Sequence, residues 1–151
     1  MPATAARHDP YSAFNFRIEI DGITVAGFSE CSGLTTETDH IEYRTGDADI
    51  TVTKLPGLRK YPNIVLKRGY TSAKELWEWR KNVIIGKTDR RSGSITLLDE
   101  GRKPALEWKF TAGWPCKWEG PTLNAKNNEV AIETLEIAHN GLVYKALSSG
   151  G

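Results

Sequence analysis

The sequence predicts a mainly β fold, a two-sheet barrel or sandwich with one flanking α-helix. Three observations support this prediction. Apolar and polar residues alternate in several short segments, glycine and proline recur between those segments, and a single stretch shows the periodicity of an amphipathic helix. About seven strands and one helix are expected in a chain of 151 residues.

The first strand signal lies at residues 14–20, where apolar and polar side chains alternate. Asp21 and Gly22 follow and predict a tight hairpin turn, because such turns need positive φ angles. A return strand is expected to begin at Ile23. Farther along, Gly33 predicts a bulge or a turn.

The next two segments have unusual compositions. Residues 35–43 are polar and rich in threonine, and predict a strand with little apolar cover. Residues 44–63 are interrupted by glycine and proline and predict an extended loop or hairpin, with a short strand where Ile50 and Val52 alternate with threonines. The apolar residues of this loop need burial against the domain or against a neighbouring copy.

The helix signal covers residues 72–85 and follows a predicted strand at 64–66. Ser72 and Glu75 have capping-box spacing, and Gly86 is a natural helix stop. The apolar stripe consists of Leu76, Trp79 and Val83, with Trp77 and Ile84 beside it. We interpret this aromatic-rich face as a core or interface face.

Residues 94–99 and 105–111 predict two further strands. The following segment, 114–121, contains Pro115 and Pro121 and predicts an edge or a turn. Residues 128–145 fit a bulged strand and a helix equally well, so periodicity leaves both open.

Length and composition indicate one globular domain over 11–145, with a flexible arm at 1–10 and a flexible tail at 146–151. No apolar run approaches the roughly 18 residues that a membrane span needs. The N-terminus lacks the apolar stretch of a secretory signal, so we expect synthesis in the cytoplasm. In that compartment Cys31 and Cys116 are expected to be reduced packing residues.

The formal net charge of +1 hides an uneven distribution. Residues 1–53 carry a net charge of −6, residues 54–91 carry +8, and residues 92–151 carry −1. Complementary blocks on one chain favour head-to-tail contacts between copies. Two separately solvated faces explain the same pattern equally well.

Residues typical of catalysis or metal binding form no recognisable motif. His8, His40 and His139 lack metal-ligand spacing, and no nucleophile-elbow, Walker A or dinucleotide-binding pattern occurs. We therefore expect no catalytic residue, no metal, no cofactor and no enzyme activity. A monomeric β-barrel that binds a ligand or single-stranded nucleic acid is an alternative. Its candidate residues are the basic block Arg59, Lys60, Lys67, Arg68, Lys87, Arg90 and Arg91, with Tyr61 and Tyr70.

Several segments, taken in order, resemble the tail-tube family of contractile phage tails and phage-tail-like injection systems. The most specific are GFSECSGL at 27–34, EYRTGD at 42–47 and KLPG at 54–57, and the resemblance continues through LWEWR and WKFTAGWPCKWEGPTLNA. It runs from about Asp9 to Leu142. Cys31 stands where a small aliphatic residue is more usual.

The resemblance implies a two-sheet β-barrel with a helix on its side, a fold related to the haemolysin-coregulated protein of type VI secretion. It favours a strand at 129–138. It also implies hexameric rings that stack into a tube, with cargo or DNA passing through the lumen. The implied partners are other copies of the chain, a contractile sheath protein, baseplate or hub proteins and a tube cap. A tube-initiator or baseplate-hub relative is the nearest alternative.

The residue patterns and the resemblance agree at two places. The polar strand 35–43 suits a wet lumen, and the segment 44–63 suits an extension that reaches a neighbouring subunit. The predicted interface residues are Tyr43, Arg44, Asp47, Ile50, Val52, Leu55, Pro56, Gly57, Leu58, Arg59 and Tyr61.

Overall fold

The computed structural model describes residues 10–13, 15–23, 27–44, 46, 51–87, 89–126 and 128–147. These residues contain one helix, α1 (Glu75–Ile84), and nine strands, which confirms the mainly β class with a single helix. The strands are β1 (Phe16–Ile20), β2 (Phe28–Ser32), β3 (Glu37–Tyr43), β4 (Thr53–Lys60), β5 (Ile64–Gly69), β6 (Arg91–Leu98), β7 (Pro104–Glu119), β8 (Ile132–Ala138) and β9 (Gly141–Ala146). In this part of the chain no helix is long and apolar enough to cross a membrane.

Two sheets share strand β7. Its first part pairs with β6 and β9, and its last part pairs with β8. One sheet therefore has the order β1-β6-β7-β9 and the other has the order β7-β8-β5-β2. The strand passes between the sheets near Ala112, which has a φ of 53°. Of the two predicted architectures, the described strands form the sandwich and no closed barrel.

Apolar side chains from both sheets and from α1 form one core. Phe110 is fully buried at its centre, and Leu76 and Trp79 carry α1 into it. Gly93 and Gly113 lie against the Phe110 ring. A Cβ at Gly113 would lie 2.6 Å from a ring atom, and a Cβ at Gly93 would lie closer still. Glycine is needed at both positions because the ring already fills the space.

The predicted turn after β1 is confirmed, and Ile20 and Ile23 form the first antiparallel bridge of the predicted hairpin. Gly22 has a φ of 76°, and the Ile23 amide donates to the Ile20 carbonyl oxygen at 2.8 Å. The rest of the predicted return strand, residues 24–26, lies outside the described residues. Along its length β1 pairs with β6, and β2 belongs to the other sheet, where it pairs with β5.

Helix α1 is shorter than predicted at its start, and the predicted capping box is wrong. Lys74 occupies the N-cap position without a side-chain cap. The Glu75 carboxylate that a capping box would use accepts a hydrogen bond from Arg68 at 3.2 Å instead. The predicted stop is confirmed, since Gly86 has a φ of 88° and donates to the Val83 carbonyl oxygen.

Two proline-containing segments are strands. Strand β4 runs through Pro56 and Gly57 and begins at Thr53, so of the short strand predicted around Ile50 and Val52 only Thr53 lies in a strand, and Ile50 lies outside the described residues. Strand β7 continues through Pro115, and a register shift next to this residue accommodates the missing donor.

The segment that fitted both helix and strand, residues 128–145, contains two strands. These are β8 and β9, separated by a turn at Asn140. The strand favoured by the resemblance is therefore confirmed over 132–138, and the helix alternative is wrong. The arm at 1–9 and the tail at 148–151, both predicted to be flexible, lie outside the described residues.

Candidate assembly surface

Strands β3 and β4 form a hairpin that is separate from both sheets. Among the described strands these two pair only with each other. Ile41 lies opposite Leu55, and Tyr43 lies opposite Thr53. The predicted polar strand at 35–43 is confirmed as β3, and the segment predicted as an extended loop or hairpin supplies its partner strand.

A bulge sets which side chains share a face of this hairpin. Residues three apart in a regular strand point to opposite faces. Here Thr38 pairs with Arg59 whereas His40 pairs with Pro56, so β4 holds one extra residue. The bulge therefore brings Leu58 to the face that carries Leu55.

Gly57 makes this bulge sterically possible. A Cβ at Gly57 would lie 3.0 Å from the carbonyl oxygen of Asp39 and 3.2 Å from the Ile41 side chain. Beyond the bulge, the Lys60 ammonium lies 3.0 Å from the Asp39 carboxylate, which places these two side chains on the same face. The sequence LPGL at 55–58 therefore forms the bulge that places both of its leucines on one face of the hairpin.

The hairpin has one apolar face and one polar face. We call one side of the hairpin the apolar face because it carries four large apolar side chains. These are Ile41 (55% exposed), Tyr43 (53%), Leu55 (43%) and Leu58 (75%). The alternation places Thr38, His40, Glu42, Lys54 and Arg59 on the other side. A two-stranded ribbon alone is marginally stable in water. Four neighbouring exposed apolar side chains therefore indicate a surface that a partner covers.

The predicted interface residues do not all lie on one face of the hairpin. Tyr43, Leu55 and Leu58 lie on the apolar face, and Ile41 belongs with them although it was not among the predicted residues. The alternation of Ile41 with Tyr43 is the signal that identifies it. Pro56 and Arg59 lie on the polar face, Gly57 lies in the bulge, and Arg44 and Val52 flank the strands. Asp47 and Ile50 lie outside the described residues.

Tyr61, the remaining predicted interface residue, makes a contact within its own subunit. It lies at the base of the hairpin, partly buried, and its ring centre is 5.8 Å from that of His139. The His139 ring nitrogens lie 3.0 and 3.2 Å from the carbonyl oxygens of Gly141 and Pro62. This contact joins the end of the hairpin to the β8–β9 turn.

The start of β3, at the same base of the hairpin, is fixed by a close backbone approach. Gly33, which precedes β3, has a φ of 89°, and a Cβ there would overlap the carbonyl oxygen of Asn63. Only glycine fits such a position. Gly33 thus has the positive φ that the predicted bulge or turn requires, and both strands of the hairpin are anchored to the sandwich at their base.

The sheets present unpaired edges. Among the described strands, β1, β2 and β9 each have a partner on one side only. Strand β9 also exposes Val143 and Tyr144. Unpaired backbone donors and acceptors at such edges are available for pairing with strands of another chain.

The basic block does not form one free cationic surface. Arg68 binds Glu133 in the interior, Arg91 binds Asp89, and the exposed Lys60 and Lys67 lie near Asp39 and Glu30. No group of three potential metal ligands occurs in the described ranges. Cys31 and Cys116 are free thiols, and burial, together with nearby Glu30, raises the pKa of Cys31 to about 12.

Comparisons with known proteins agree with the fold and the segments quoted above. A family model described as T4-like virus tail tube protein gp19 matches residues 12–143. The structure is similar to a chain of the anti-feeding prophage cap (AFP tube terminating cap), with a TM-score of 0.86 and 25% identity over 95% of this chain and 96% of that chain.

Two further structures share the fold. A chain of an extracellular contractile injection system, the PVC sheath-tube complex in the extended state, has a TM-score of 0.83 and 22% identity, covering 91% of this chain and 93% of that one. Hcp1 from Flavobacterium johnsoniae has a TM-score of 0.56 and 17% identity, covering 91% and 97%. No curated protein matches the sequence. The resemblance to tail tubes and to the haemolysin-coregulated fold is confirmed, and the chain belongs to the T4-like virus tail tube protein gp19 family.

Proposed function

We propose that the chain is the repeating structural subunit of the inner tube of a contractile phage tail or injection system. The observation that carries this proposal is the β3–β4 hairpin, whose four large apolar side chains stay 43–75% exposed within the described subunit. Membership of a tail-tube family supports the same conclusion.

In this proposal hexameric rings stack into a tube, and the function is mechanical rather than catalytic. The unpaired edges of the two sheets pair between neighbouring copies, which removes free edges when the ring closes. The hairpin reaches a neighbouring copy with its apolar face, while polar strand surfaces such as the Thr38 side of β3 face the wet lumen.

The proposed partners follow from the same architecture. A contractile sheath surrounds the tube, baseplate or hub proteins start it, and a cap ends it. Relatives of similar fold are described as parts of a sheath-tube complex and of a tube-terminating cap. Protein cargo or DNA passes through the lumen. The chain is assembled into a phage tail or a phage-tail-like injection particle.

The test is assembly of the purified chain, followed by light scattering and negative-stain microscopy. A hexameric ring of a 16.8 kDa chain has a mass of about 101 kDa. We expect rings or tubes from the wild type and a large loss of both when Ile41, Leu55 and Leu58 are changed together to serine. A matched variant with Thr38, His40 and Glu42 changed to alanine leaves the apolar face intact and should still form rings. A strictly monomeric wild type at high concentration, or normal tubes from a chain lacking 46–60, contradicts the proposal.

A cap or tube-initiator subunit is a second candidate. The similarity to a chain of the tube-terminating cap favours it. The two roles differ in growth, because a tube subunit extends into long stacks whereas a cap or initiator forms a single ring. Microscopy of the same preparations, together with the number of copies per native particle, separates them.

A further inference from the structure

The two tryptophans of α1 lie in different environments. Trp79 is buried in the core, whereas Trp77 is 39% exposed and lies outside it. The Trp77 ring lies beside Trp118 of β7, with the two ring centres 5.0 Å apart. The ring centre of Tyr70, which follows β5, is 6.4 Å from that of Trp118. Three aromatic side chains from three elements therefore form one cluster at the surface.

This aromatic cluster lines a pocket of about 380 Å³ next to the start of α1. The pocket is preformed, because its walls are held by hydrogen bonds. The Trp118 Nε1 donates to the buried Glu133 carboxylate at 3.1 Å, and the Tyr70 amide donates to the Ala131 carbonyl oxygen at 2.8 Å. Tyr70 is 48% exposed, so the pocket is open to solvent and its aromatic walls can contact a ligand.

The surroundings of the pocket carry an excess of negative charge. Glu78 and Glu133 line it, together with Lys74. Beneath it, Arg68 binds both Glu133 and Glu75. Three carboxylates and two cations leave a formal net charge of −1. The first turn of α1, whose free amides would otherwise attract an anion, already contains Glu75 and Glu78. The charges therefore favour a cation over an anion as the ligand.

The hydrogen bond between Trp118 and Glu133 strengthens this preference. An indole N–H that donates to a carboxylate is polarised, which makes the faces of the ring more negative. Aromatic faces attract cations that lie within about 6 Å of the ring centre, and tryptophan attracts them most strongly. Groups of aromatic side chains recognise quaternary ammonium ligands in this way.

We infer that the pocket formed by Tyr70, Trp77 and Trp118 binds an alkylated ammonium cation of the choline type. Such a cation donates no hydrogen bond from its nitrogen, so aromatic walls and nearby carboxylates are sufficient to hold it. The same group occurs in soluble choline and in the headgroup of phosphatidylcholine. The inference concerns the surface of a single subunit and does not depend on the tube function.

Calorimetric titration of the purified chain tests this inference by comparing choline with neohexyl alcohol, its uncharged carbon analogue. Choline should bind at one site with a dissociation constant of about 1 mM, which is ordinary for so small a ligand. The analogue has nearly the same shape but no charge, so it should bind about tenfold more weakly. Equal affinities would indicate a merely apolar cleft and overturn the inference, as would no binding of choline.

Substitutions then locate the bound cation. Trp77→Leu keeps an apolar wall but removes the aromatic face, so it should weaken choline binding by about tenfold. Tyr144→Leu, at an exposed position on β9, is the matched control and should leave the affinity unchanged. Glu78→Gln should weaken choline binding by about two- to fivefold, and Lys74→Gln should strengthen it by a similar factor. Both of these side chains are exposed, so the charge variants are informative even where Trp77→Leu is unstable.

Vesicles distinguish the two sources of the cation. Cosedimentation with phosphatidylcholine vesicles but not with phosphatidylglycerol vesicles, weakened by Trp77→Leu, supports the inference with a lipid headgroup as the ligand. Choline binding without cosedimentation supports it with a soluble cation. If Trp77→Leu and Glu78→Gln both leave the choline affinity unchanged, the cation binds elsewhere and the inference is wrong.

Discussion

The buried ion pair between Arg68 and Glu133 leads to a quantitative prediction about stability. Glu133 is 2% exposed and accepts hydrogen bonds from the Arg68 Nε and from the Trp118 Nε1, the latter at 3.1 Å. Arg68 is 5% exposed and also donates to the Glu75 carboxylate. Glu133→Gln removes the charge that compensates a buried guanidinium while leaving the side-chain shape nearly unchanged.

Breaking one partner of a buried ion pair costs about 3–5 kcal/mol of unfolding free energy. Because Glu75 still contacts Arg68 in the variant, we expect a loss near the lower end, about 3 kcal/mol. For a domain of this size that corresponds to a fall in Tm of roughly 6–12 °C. Such a loss is a large fraction of the total stability of a typical domain.

Urea unfolding followed by circular dichroism measures this loss, at protein concentrations where light scattering shows monomers. Glu30→Gln is a matched control, because Glu30 pairs with Lys67 at 3.7 Å on the surface. Exposed pairs contribute less than about 1 kcal/mol. If Glu133→Gln destabilises the protein no more than Glu30→Gln does, the buried pair does not have the role assigned to it.

Three further predictions concern the sandwich. Gly113→Ala places a Cβ 2.6 Å from the Phe110 ring and should cost about 1–3 kcal/mol by overpacking; an unchanged Tm contradicts this. Hydrogen bonding from Arg91 lowers the pKa of Asp89 below its ordinary value of 3.8. The ionised Asp89 carboxylate therefore contributes fully to the free energy of unfolding above pH 3.8, and this contribution is lost as the pH falls through the lowered pKa. Asp89→Asn should therefore lose less stability on acidification than the wild type, and parallel acid profiles would refute this. Burial raises the pKa of Cys31 to about 12, so native alkylation at pH 8 should be much slower than in urea; equal rates would count against it.

The local parts of the fold follow from the sequence because they depend on local patterns. Alternation identifies β1, the apolar residues at 64–66 identify β5, and the stripe through Leu76 and Trp79 identifies α1. Strand partners depend on distant segments instead. The turn at Gly22 and the Ile20–Ile23 bridge follow from local signals. The pairing of β1 with β6 joins segments far apart in sequence, and no local pattern indicates it.

Prolines made the strand bounds hard to predict. The end of β7 around Pro115 is an edge, one of the two predicted alternatives, whereas Pro56 suggests a break and lies within β4. Each proline lies beside a register shift, and a bulge is a property of two strands together. For the same reason the apolar face could be predicted only in part. The apolar residues of 44–63 indicate a surface that needs cover, whereas the shared face of Leu55, Leu58 and Ile41 depends on the register of β3 against β4. The choice of strand for 132–138 came from the family resemblance, since the periodicity allowed both structures.

The strand shared by the two sheets has a consequence for how force and heat act on the subunit. Since β7 supplies hydrogen bonds to both layers, neither layer can melt without removing a partner strand from the other. The sandwich should therefore respond as a single cooperative block. The β3–β4 hairpin shares no described strand pairing with that block, so it can adjust its bend to a neighbouring chain while the block keeps its packing.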